Sequence, residues 1–228
     1  MQHLIIHRGL AKKNFKENTL NAFKYCFKKK YGVETDLHCT KDNKIICFHD
    51  FNLNRRFKIN KKVKDLNYFD LKKISVIKNL TFDEINKIAK KFGYYVPQLK
   101  ELIKISKNKN YLMLEIKSYF SKKNLIQLIN QTKKLKFFSI TSFNEKNIKN
   151  LNSLKKKMNL GLCFNSTTSI KKIIRKSKLR YIKILVTEKK FLTSKKLDLV
   201  NKPIYYYTAR NKKIRKKYKN KNLIFENL

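Results

Sequence analysis

The sequence of 228 residues contains few of the residues that build turns, linkers and crosslinks. It has four Gly, two Pro, no Trp and four Cys. Because Gly and Pro are so rare, no linker is evident, and we expect one domain over residues 1–228. The cysteines form no CxxC pair and lack zinc-ligand spacing, which favours small core residues over disulfide halves or a zinc site. They are Cys26, Cys39, Cys47 and Cys163.

Long apolar runs are also missing from the sequence. No run approaches the ~20 residues that a membrane-spanning helix requires. The apolar stretch within the opening segment, MQHLIIHRG, is too short for a signal peptide. These absences predict a protein of the reducing cytoplasm.

Acidic residues are scarce, at 15 Asp and Glu against 57 Lys and Arg, which gives a formal net charge of +42. Such a surface attracts phosphate in nucleic acid, anionic lipid or a small ester. The lysines are spread along the chain instead of forming one block, a distribution that a codon-driven composition also produces. Hydrophobic residues make up 42% of the sequence, which is enough for an ordered core and excludes wholesale disorder.

Short apolar runs rich in β-branched and aromatic residues alternate with Lys-rich stretches of helical character. The runs predict strands at 3–7, 33–39, 44–49, 111–116, 137–142, 159–164, 181–186, 203–208 and 222–226. The stretches predict helices at 18–30, 97–107, 121–134, 144–157, 167–176, 190–199 and 210–219. Residues 57–95 interrupt this alternation and predict a small helical insertion. This many repeats favour an α/β fold of the TIM-like (β/α)8 barrel type over an open sheet.

A short β-hairpin arm after the second strand accounts for the ninth predicted strand. Only residues 40–43 separate strands 33–39 and 44–49, which is too short for a crossover between parallel strands but suits a hairpin. With the turn centred in this segment, Asp36 is expected to face His49, about 5 Å away at Cβ. The other eight strands then close the barrel.

The few acids cluster, and the histidines cluster with them. The first 50 residues contain five of the 15 acids and all four histidines. Glu34 and Asp36 are two residues apart on one strand and project to the same face, Glu115 lies on another strand, and His7 and His49 end theirs. Residues at C-terminal strand ends line the active-site mouth of a barrel. Three carboxylates there would repel one another without a hard divalent cation, and oxygen ligands favour Mg²⁺ or Ca²⁺ over zinc.

Several spaced motifs follow one another along the chain. They are HRG at 7–9, ENT at 17–19, GVETD at 32–36, TKDNKIICFHD at 40–50, VPQLKELI at 96–103, LEIKS at 114–118 and ITSF at 140–143. Together they resemble the signature of the glycerophosphodiester phosphodiesterase family, a group with a PLC-like TIM barrel. Weaker echoes are YYYTAR at 205–210 and IFEN at 224–227, where the family has Trp-Thr-Val-Asn and Ile-Thr-Asp. The resemblance covers nearly the whole chain.

The resemblance implies metal-dependent hydrolysis of glycerophosphodiesters to glycerol 3-phosphate and an alcohol, with Mg²⁺ or Ca²⁺ as cofactor. The residues that it implies are the metal ligands Glu34, Asp36 and Glu115, the general acid and base His7 and His49, and the phosphate-binding residues Arg8 and Lys117. A phosphodiester monoanion resists nucleophiles, so positive charge must neutralise its oxygens. One imidazole then activates the attacking hydroxyl or water, and the other protonates the leaving alkoxide.

Other interpretations of the same sequence stay open at this point. Arg8 has the alternative of a structural ion pair with an acid such as Glu17, and Asp50 is interpreted as a hydrogen-bonding residue. His3 and His38 are interpreted as structural. The expected partner is a small phosphodiester, with peripheral contact at the anionic inner membrane surface as a second hypothesis and no specific nucleic acid. Alternatives for the whole chain are lysophospholipase D-type activity, or a non-catalytic basic barrel that binds anionic membrane or nucleic acid.

Overall fold

Eight parallel strands close into a barrel, and a ninth strand pairs with it as an antiparallel arm. The computed structural model of the chain describes residues 4–76, 95–155 and 157–227. Within these residues the strands are β1 Ile5–His7, β2 Gly32–Cys39, β3 Ile45–Cys47, β4 Leu112–Ile116, β5 Phe138–Ser142, β6 Leu160–Phe164, β7 Ile184–Glu188, β8 Ile204–Ala209 and β9 Asn222–Phe225. The sheet order is β1-β9-β8-β7-β6-β5-β4-β2-β3, and β1 also pairs with β2, which closes the ring. The predicted TIM-like barrel is confirmed.

Helices join the parallel strands, and polar side chains begin most of them. The described α-helices are Leu20–Lys28, Asn54–Phe57, Tyr68–Val76, Leu99–Ser106, Lys122–Thr132, Glu145–Leu154, Ile170–Ser177, Lys195–Asp198 and Lys212–Lys217, with 3-10 turns at Val63–Asp65 and Lys189–Thr193. The side chains of Thr19, Ser121 and Asn144 each accept a backbone N–H of the first turn, which stabilises a helix start. The helix predicted at 190–199 is instead a 3-10 turn followed by a four-residue helix that Ser194 caps. Among the described helices, none combines the length and apolar character needed to cross a membrane.

The predicted insertion at 57–95 is described as far as residue 76, and its residues 77–94 lie outside the described part of the chain. The described portion contains a 3-10 turn and the helix Tyr68–Val76. Its apolar side chains share a small core with the hairpin arm. This core contains Ile46, Phe48, Leu53, Val63, Leu66, Leu71 and Val96. The described part of the insertion therefore packs on the arm that precedes His49.

The arm runs antiparallel to β2, as the short connection predicts, but its register differs by one residue. Leu37 pairs with Cys47, so Asp36 lies opposite Phe48, whose backbone N–H donates to the Asp36 carbonyl oxygen at 2.9 Å. The prediction that Asp36 faces His49 is therefore wrong. His49 lies one residue further along, where the chain returns from the arm.

The connection between β2 and β3 explains this shift in register. The backbone N–H of Thr40 donates to the Lys44 carbonyl oxygen at 3.0 Å, so both residues belong to the ladder. Three residues remain for the loop, and the last of them, Asn43, has a left-handed φ of 60°. A three-residue hairpin loop requires this conformation at its last position, and Asn tolerates it better than most residues. The odd loop length moves the register by one.

Side chains that point into the barrel form an apolar layer with a charged layer above it. The apolar layer consists of Ile5, Tyr111, Met113, Cys163, Ile184, Val186 and Ile224. Because side chains alternate along a strand, the interior positions two residues beyond four of these face the carboxyl end of the barrel. They are His7, Glu115, Glu188 and Glu226. The apolar layer therefore closes the barrel from below and supports a polar mouth.

Candidate active site

Three carboxylates meet at the mouth of the barrel. Glu34 and Asp36 lie on β2 and Glu115 lies on β4, and the strand register pairs Asp36 with Glu115. One carboxylate oxygen of each residue lies within 4.8 Å of the others. Two unit charges at this distance repel by about 3 kcal/mol at an effective dielectric constant of ~20. The cluster predicted from the sequence is therefore present and electrostatically costly.

Burial and mutual repulsion set the protonation of these acids. Burial raises the pKa of Glu34 well above its ordinary value, and the charges of Asp36 and Glu115 raise it further. Burial also raises the pKa of Glu115, to about 7, against the opposing effect of Lys117. Burial acts on Asp36 in the same direction, but Arg8 and Lys117 outweigh it and hold the pKa of Asp36 below its ordinary value.

The cluster has the donors that a hard divalent cation requires. Glu34 Oε1 is buried and, among the residues that the structure describes, has no hydrogen-bond partner. A buried carboxylate oxygen without a partner is unfavourable. A divalent cation among the three acids would remove their repulsion and use this oxygen as a ligand, and a set made only of oxygens suits Mg²⁺ or Ca²⁺.

Arg8 holds two of these acids in place from the end of β1. It adopts a left-handed backbone with φ of 51°, and its backbone N–H donates to Glu34 Oε2 at 3.2 Å. Its guanidinium Nε lies 3.0 Å from Asp36 Oδ2, and Nη1 donates to Glu17 Oε2 at 3.0 Å. The ion pair with Glu17, the alternative interpretation of Arg8, therefore exists alongside its position at the mouth.

Lys117 supplies a second cation beside the acids. Its Nζ lies 2.8 Å from Glu115 Oε1 and 3.7 Å from Asp36 Oδ1. Burial opposes the charge of Lys117, but these two carboxylates outweigh that effect and raise its pKa. The ammonium group therefore stays charged at neutral pH.

His7 is oriented by a carboxylate from the far end of the chain. Its Nδ1 lies 2.6 Å from Glu226 Oε1, and its Nε2 lies 3.8 Å from Glu34 Oε2. Glu226 also accepts a hydrogen bond from Arg210 Nε at 2.8 Å. Burial opposes the charge of Glu226, but hydrogen bonds from His7 and Arg210 outweigh it and lower its pKa to about 2. A carboxylate on Nδ1 leaves Nε2 as the nitrogen that faces the mouth.

His49 is also held by a carboxylate at its Nδ1 atom. Its Nδ1 lies 2.7 Å from Asp50, which accepts a hydrogen bond from Arg55 Nε at 2.7 Å. Burial is the largest influence on His49 and lowers its pKa. His38 is buried with its Nε2 3.1 Å from the His49 carbonyl oxygen, and burial lowers the pKa of His38 to about 4. A neutral His38 thus supports the backbone of His49 through this contact. His3, the other histidine interpreted as structural, lies outside the described residues.

These side chains enclose a pocket of about 290 Å³. It is lined by His7, Arg8, Glu34, His49, Glu115, Lys117, Phe143, Asn165, Val186, Glu188, Tyr207 and Ile224. Six of the seven predicted site residues are in this lining, and Asp36 lies beneath it with 1% of its surface exposed. The sequence analysis missed Glu188 and Glu226. Each lies two residues beyond an apolar interior residue at a C-terminal strand end, and this spacing is the signal that could have found them.

We expect Glu226→Gln to lower kcat by about 10-fold to 100-fold, which is less than the loss of a whole acid–base group, ~10²–10⁴-fold. The amide keeps the shape of Glu226 but removes the charge of the carboxylate that orients His7 through Nδ1. Steady-state kinetics on a glycerophosphodiester, the substrate that the motif resemblance implies, would measure the effect. Glu145→Gln, on the outer helix Glu145–Leu154, is the matched control. If Glu226→Gln and Glu145→Gln had the same kcat, Glu226 would have no role in orienting His7.

The fold and the site together define a parallel α/β barrel whose mouth holds an acidic centre flanked by two imidazoles and two cations. This arrangement is equipped for phosphate chemistry. The chain belongs to the glycerophosphoryl diester phosphodiesterase family, whose model matches residues 7–221. The resemblance inferred from the motifs is thus confirmed.

Curated relatives carry names consistent with this family. The glycerophosphodiester phosphodiesterase of Caldanaerobacter subterraneus subsp. tengcongensis is 29% identical over 169 residues, which cover 71% of this chain and 66% of that protein. The Bacillus altitudinis protein of the same name is 29% identical over 117 residues, which cover 51% of this chain and 44% of that protein. Human lysophospholipase D GDPD1 is 41% identical over 68 residues, or 29% of this chain and 21% of that protein. The matches thus span less than two thirds of each of these relatives.

Solved structures share the fold over the whole chain. The Thermotoga maritima glycerophosphodiester phosphodiesterase has a TM-score of 0.71 at 20% identity, covering 99% of this chain and 95% of that chain. An Oleispira antarctica phosphodiesterase, in complex with its product sn-glycerol-3-phosphate, has a TM-score of 0.78 at 17% identity, covering 98% and 92%. At 20% and 17% identity, these structures show that the chain shares their barrel fold.

Proposed function

We propose that the protein is a divalent-cation-dependent phosphodiesterase that hydrolyses glycerophosphodiesters to glycerol 3-phosphate and an alcohol, with residues 1–228 acting as one domain. The observation that carries this proposal is the cluster of three carboxylates at the floor of a pocket flanked by two imidazoles. Three carboxylates held this close repel one another, and a protein that only attracts anions has no need of them. A non-catalytic basic barrel is therefore not favoured.

Glu34, Asp36 and Glu115 would hold the cation, because their oxygens converge within 4.8 Å and Glu34 Oε1 has no hydrogen-bond partner among the described residues. When bound there, Mg²⁺ or Ca²⁺ supplies positive charge that stabilises the developing charge on the phosphate oxygens. Arg8 and Lys117 add two fixed cations at the same mouth. Their place in the pocket lining supports a phosphate-binding role for both residues.

His7 and His49 are the proposed general acid and base. In each ring a carboxylate binds Nδ1, which fixes the tautomer and leaves Nε2 for a proton transfer at the mouth. One imidazole takes the proton of the attacking hydroxyl or water, and the other gives a proton to the leaving alkoxide oxygen. His7 ends β1 and His49 lies in the segment after β3, and both residues line the same pocket, which supports their action on one phosphate.

The name of the human relative supports lysophospholipids as a second substrate class, since that protein is a lysophospholipase D. Cleavage of a lysophospholipid uses the same bond and the same groups. The net charge of +42 also supports peripheral contact with an anionic membrane. Each Lys or Arg near such a surface contributes ~1 kcal/mol, and salt should weaken this attraction because the Debye length falls to ~8 Å at physiological ionic strength.

The test of this function is turnover of a panel of soluble glycerophosphodiesters and micellar lysophospholipids, with and without chelator. We expect release of glycerol 3-phosphate from the soluble diesters in Mg²⁺ or Ca²⁺, and its loss on chelation. Failure to cleave every member of the panel with either metal would overturn the proposal. Cleavage of lysophospholipids alone would change the substrate class and leave the chemistry intact.

A further inference from the structure

Three large aromatic side chains are exposed at the mouth of the barrel. Phe51 is 59% exposed, Tyr119 55% and Phe143 44%. Phe143 directly follows β5, Tyr119 follows β4 by three residues, and Phe51 follows His49 and Asp50 where the hairpin arm returns. All three therefore lie on the face that carries the pocket, and we call them the aromatic rim.

The aromatic rim is tied to the residues of the pocket. Phe143 is part of the pocket lining, and its ring lies 5.5 Å from Lys117 Nζ. Phe51 packs edge-on against His38 with ring centroids 5.0 Å apart, and His38 contacts the carbonyl oxygen of His49. Any surface that covers these aromatic side chains therefore also covers the pocket entrance.

Lysines accompany the aromatic rim. Lys146 Nζ lies 5.4 Å from the centre of the Tyr119 ring, and Lys117 lies over Phe143. Lysine is depleted at protein–protein interfaces, whereas aromatic side chains together with cations are typical of proteins that rest on anionic lipid. The net charge of +42 complements such a surface. The chemistry of this face therefore fits a lipid headgroup layer better than a protein partner.

We propose that the barrel docks mouth-first on an anionic lipid surface, with Phe51, Tyr119 and Phe143 entering the headgroup region while Lys146, beside Tyr119, contacts lipid phosphates. The pocket then opens toward the layer in which lysophospholipids reside. The docking is independent of the proposed activity. The docking would give the pocket access to lipid substrates in the membrane, and only this consequence rests on the proposed activity.

The absence of Trp from the chain allows a direct test with single-Trp variants. Tyr119→Trp places the one indole in the aromatic rim. Phe137→Trp is the matched control, because Phe137 is 46% exposed and directly precedes β5, at the opposite end of the barrel. Each variant is titrated with vesicles of phosphatidylglycerol and phosphatidylcholine, and with vesicles of phosphatidylcholine alone.

We expect the emission of Tyr119→Trp to shift to shorter wavelength with the anionic vesicles, while that of Phe137→Trp stays unchanged. Equal shifts in the two variants, or binding with no shift at residue 119, would overturn mouth-first docking. Co-sedimentation of Phe51→Ser/Tyr119→Ser should show an apparent affinity at least about tenfold weaker than that of Phe137→Ser. Equal affinity of these variants would also contradict the proposal.

The result is separable from the test of the proposed function. Hydrolysis of a soluble glycerophosphodiester by the wild-type chain is measured without vesicles. Turnover without docking would reject the membrane proposal alone. Docking without turnover would reject the proposed activity alone.

Discussion

The variants His7→Ala and His49→Ala are each expected to lower turnover by about 10²–10⁴-fold, the usual contribution of a general acid or base. Each removes an imidazole whose Nδ1 a carboxylate already holds, at 2.6 Å for His7 and 2.7 Å for His49. Among the described residues that line the pocket, His7 and His49 are the only two imidazoles, so no third ring can replace either one. The measurement is steady-state turnover of a glycerophosphodiester at saturating Mg²⁺.

Two controls make this result specific. Thermal unfolding of both variants shows whether the barrel persists, and a diester with a p-nitrophenolate leaving group removes the need for an acid. The variant that this substrate rescues lacks the acid, and the other lacks the base. If either variant turned over an alkyl diester at the wild-type rate, the histidine replaced in that variant would have no role as acid or base.

Exhaustive chelation is expected to abolish activity, and Mg²⁺ or Ca²⁺ is expected to restore it. The reason is that Glu34, Asp36 and Glu115 form one oxygen cluster in a chain that otherwise carries few acids. The metal should also stabilise the fold, by about 2.7 kcal/mol at a hundredfold excess over Kd. For a chain of this size that corresponds to a rise in Tm of roughly 5–10 °C. Full activity after chelation would contradict the assignment.

Glu34→Gln separates metal binding from the integrity of the fold. The variant should lose most of the metal affinity and therefore the metal-dependent rise in Tm. Its Tm without metal should equal or exceed that of the wild type, because the substitution removes a buried carboxyl group whose charged form is disfavoured by burial and by repulsion from Asp36 and Glu115. Glu145→Gln is the matched control, since Glu145 pairs with Lys176 on the outer surface. An undiminished rise in Tm for Glu34→Gln would exclude Glu34 as a ligand.

Local properties of the sequence predicted the fold and much of the site. The spacing of apolar runs located every strand to within three residues at either end where the structure describes it, because burial of alternate side chains is a local pattern. The short segment between 33–39 and 44–49 required an antiparallel arm, since four residues cannot cross a sheet. The same alternation placed Glu34 and Asp36 on one face. These inferences depend on neighbours a few residues apart.

Contacts between distant segments were not predictable in this way. The hydrogen bond of Glu226 to His7 joins residues 219 positions apart, and it exists because β9 closes the barrel beside β1. Glu188 lines the pocket from the end of β7, far along the chain from the other acids. The register of the arm depended on the conformation of the three-residue loop, in which Asn43 is left-handed. The hydrogen bond from the Thr40 N–H to the Lys44 carbonyl oxygen closes this loop.

The sequence by itself determined the barrel, the arm and the identity of the clustered acids and histidines, because strand periodicity and short connections act locally. Only the tertiary structure decided which carboxylate holds each imidazole, how Arg8 and Lys117 share the acids, and which aromatic side chains surround the mouth. These depend on the closure and stagger of eight strands, which bring together the carboxyl ends of segments far apart in the chain.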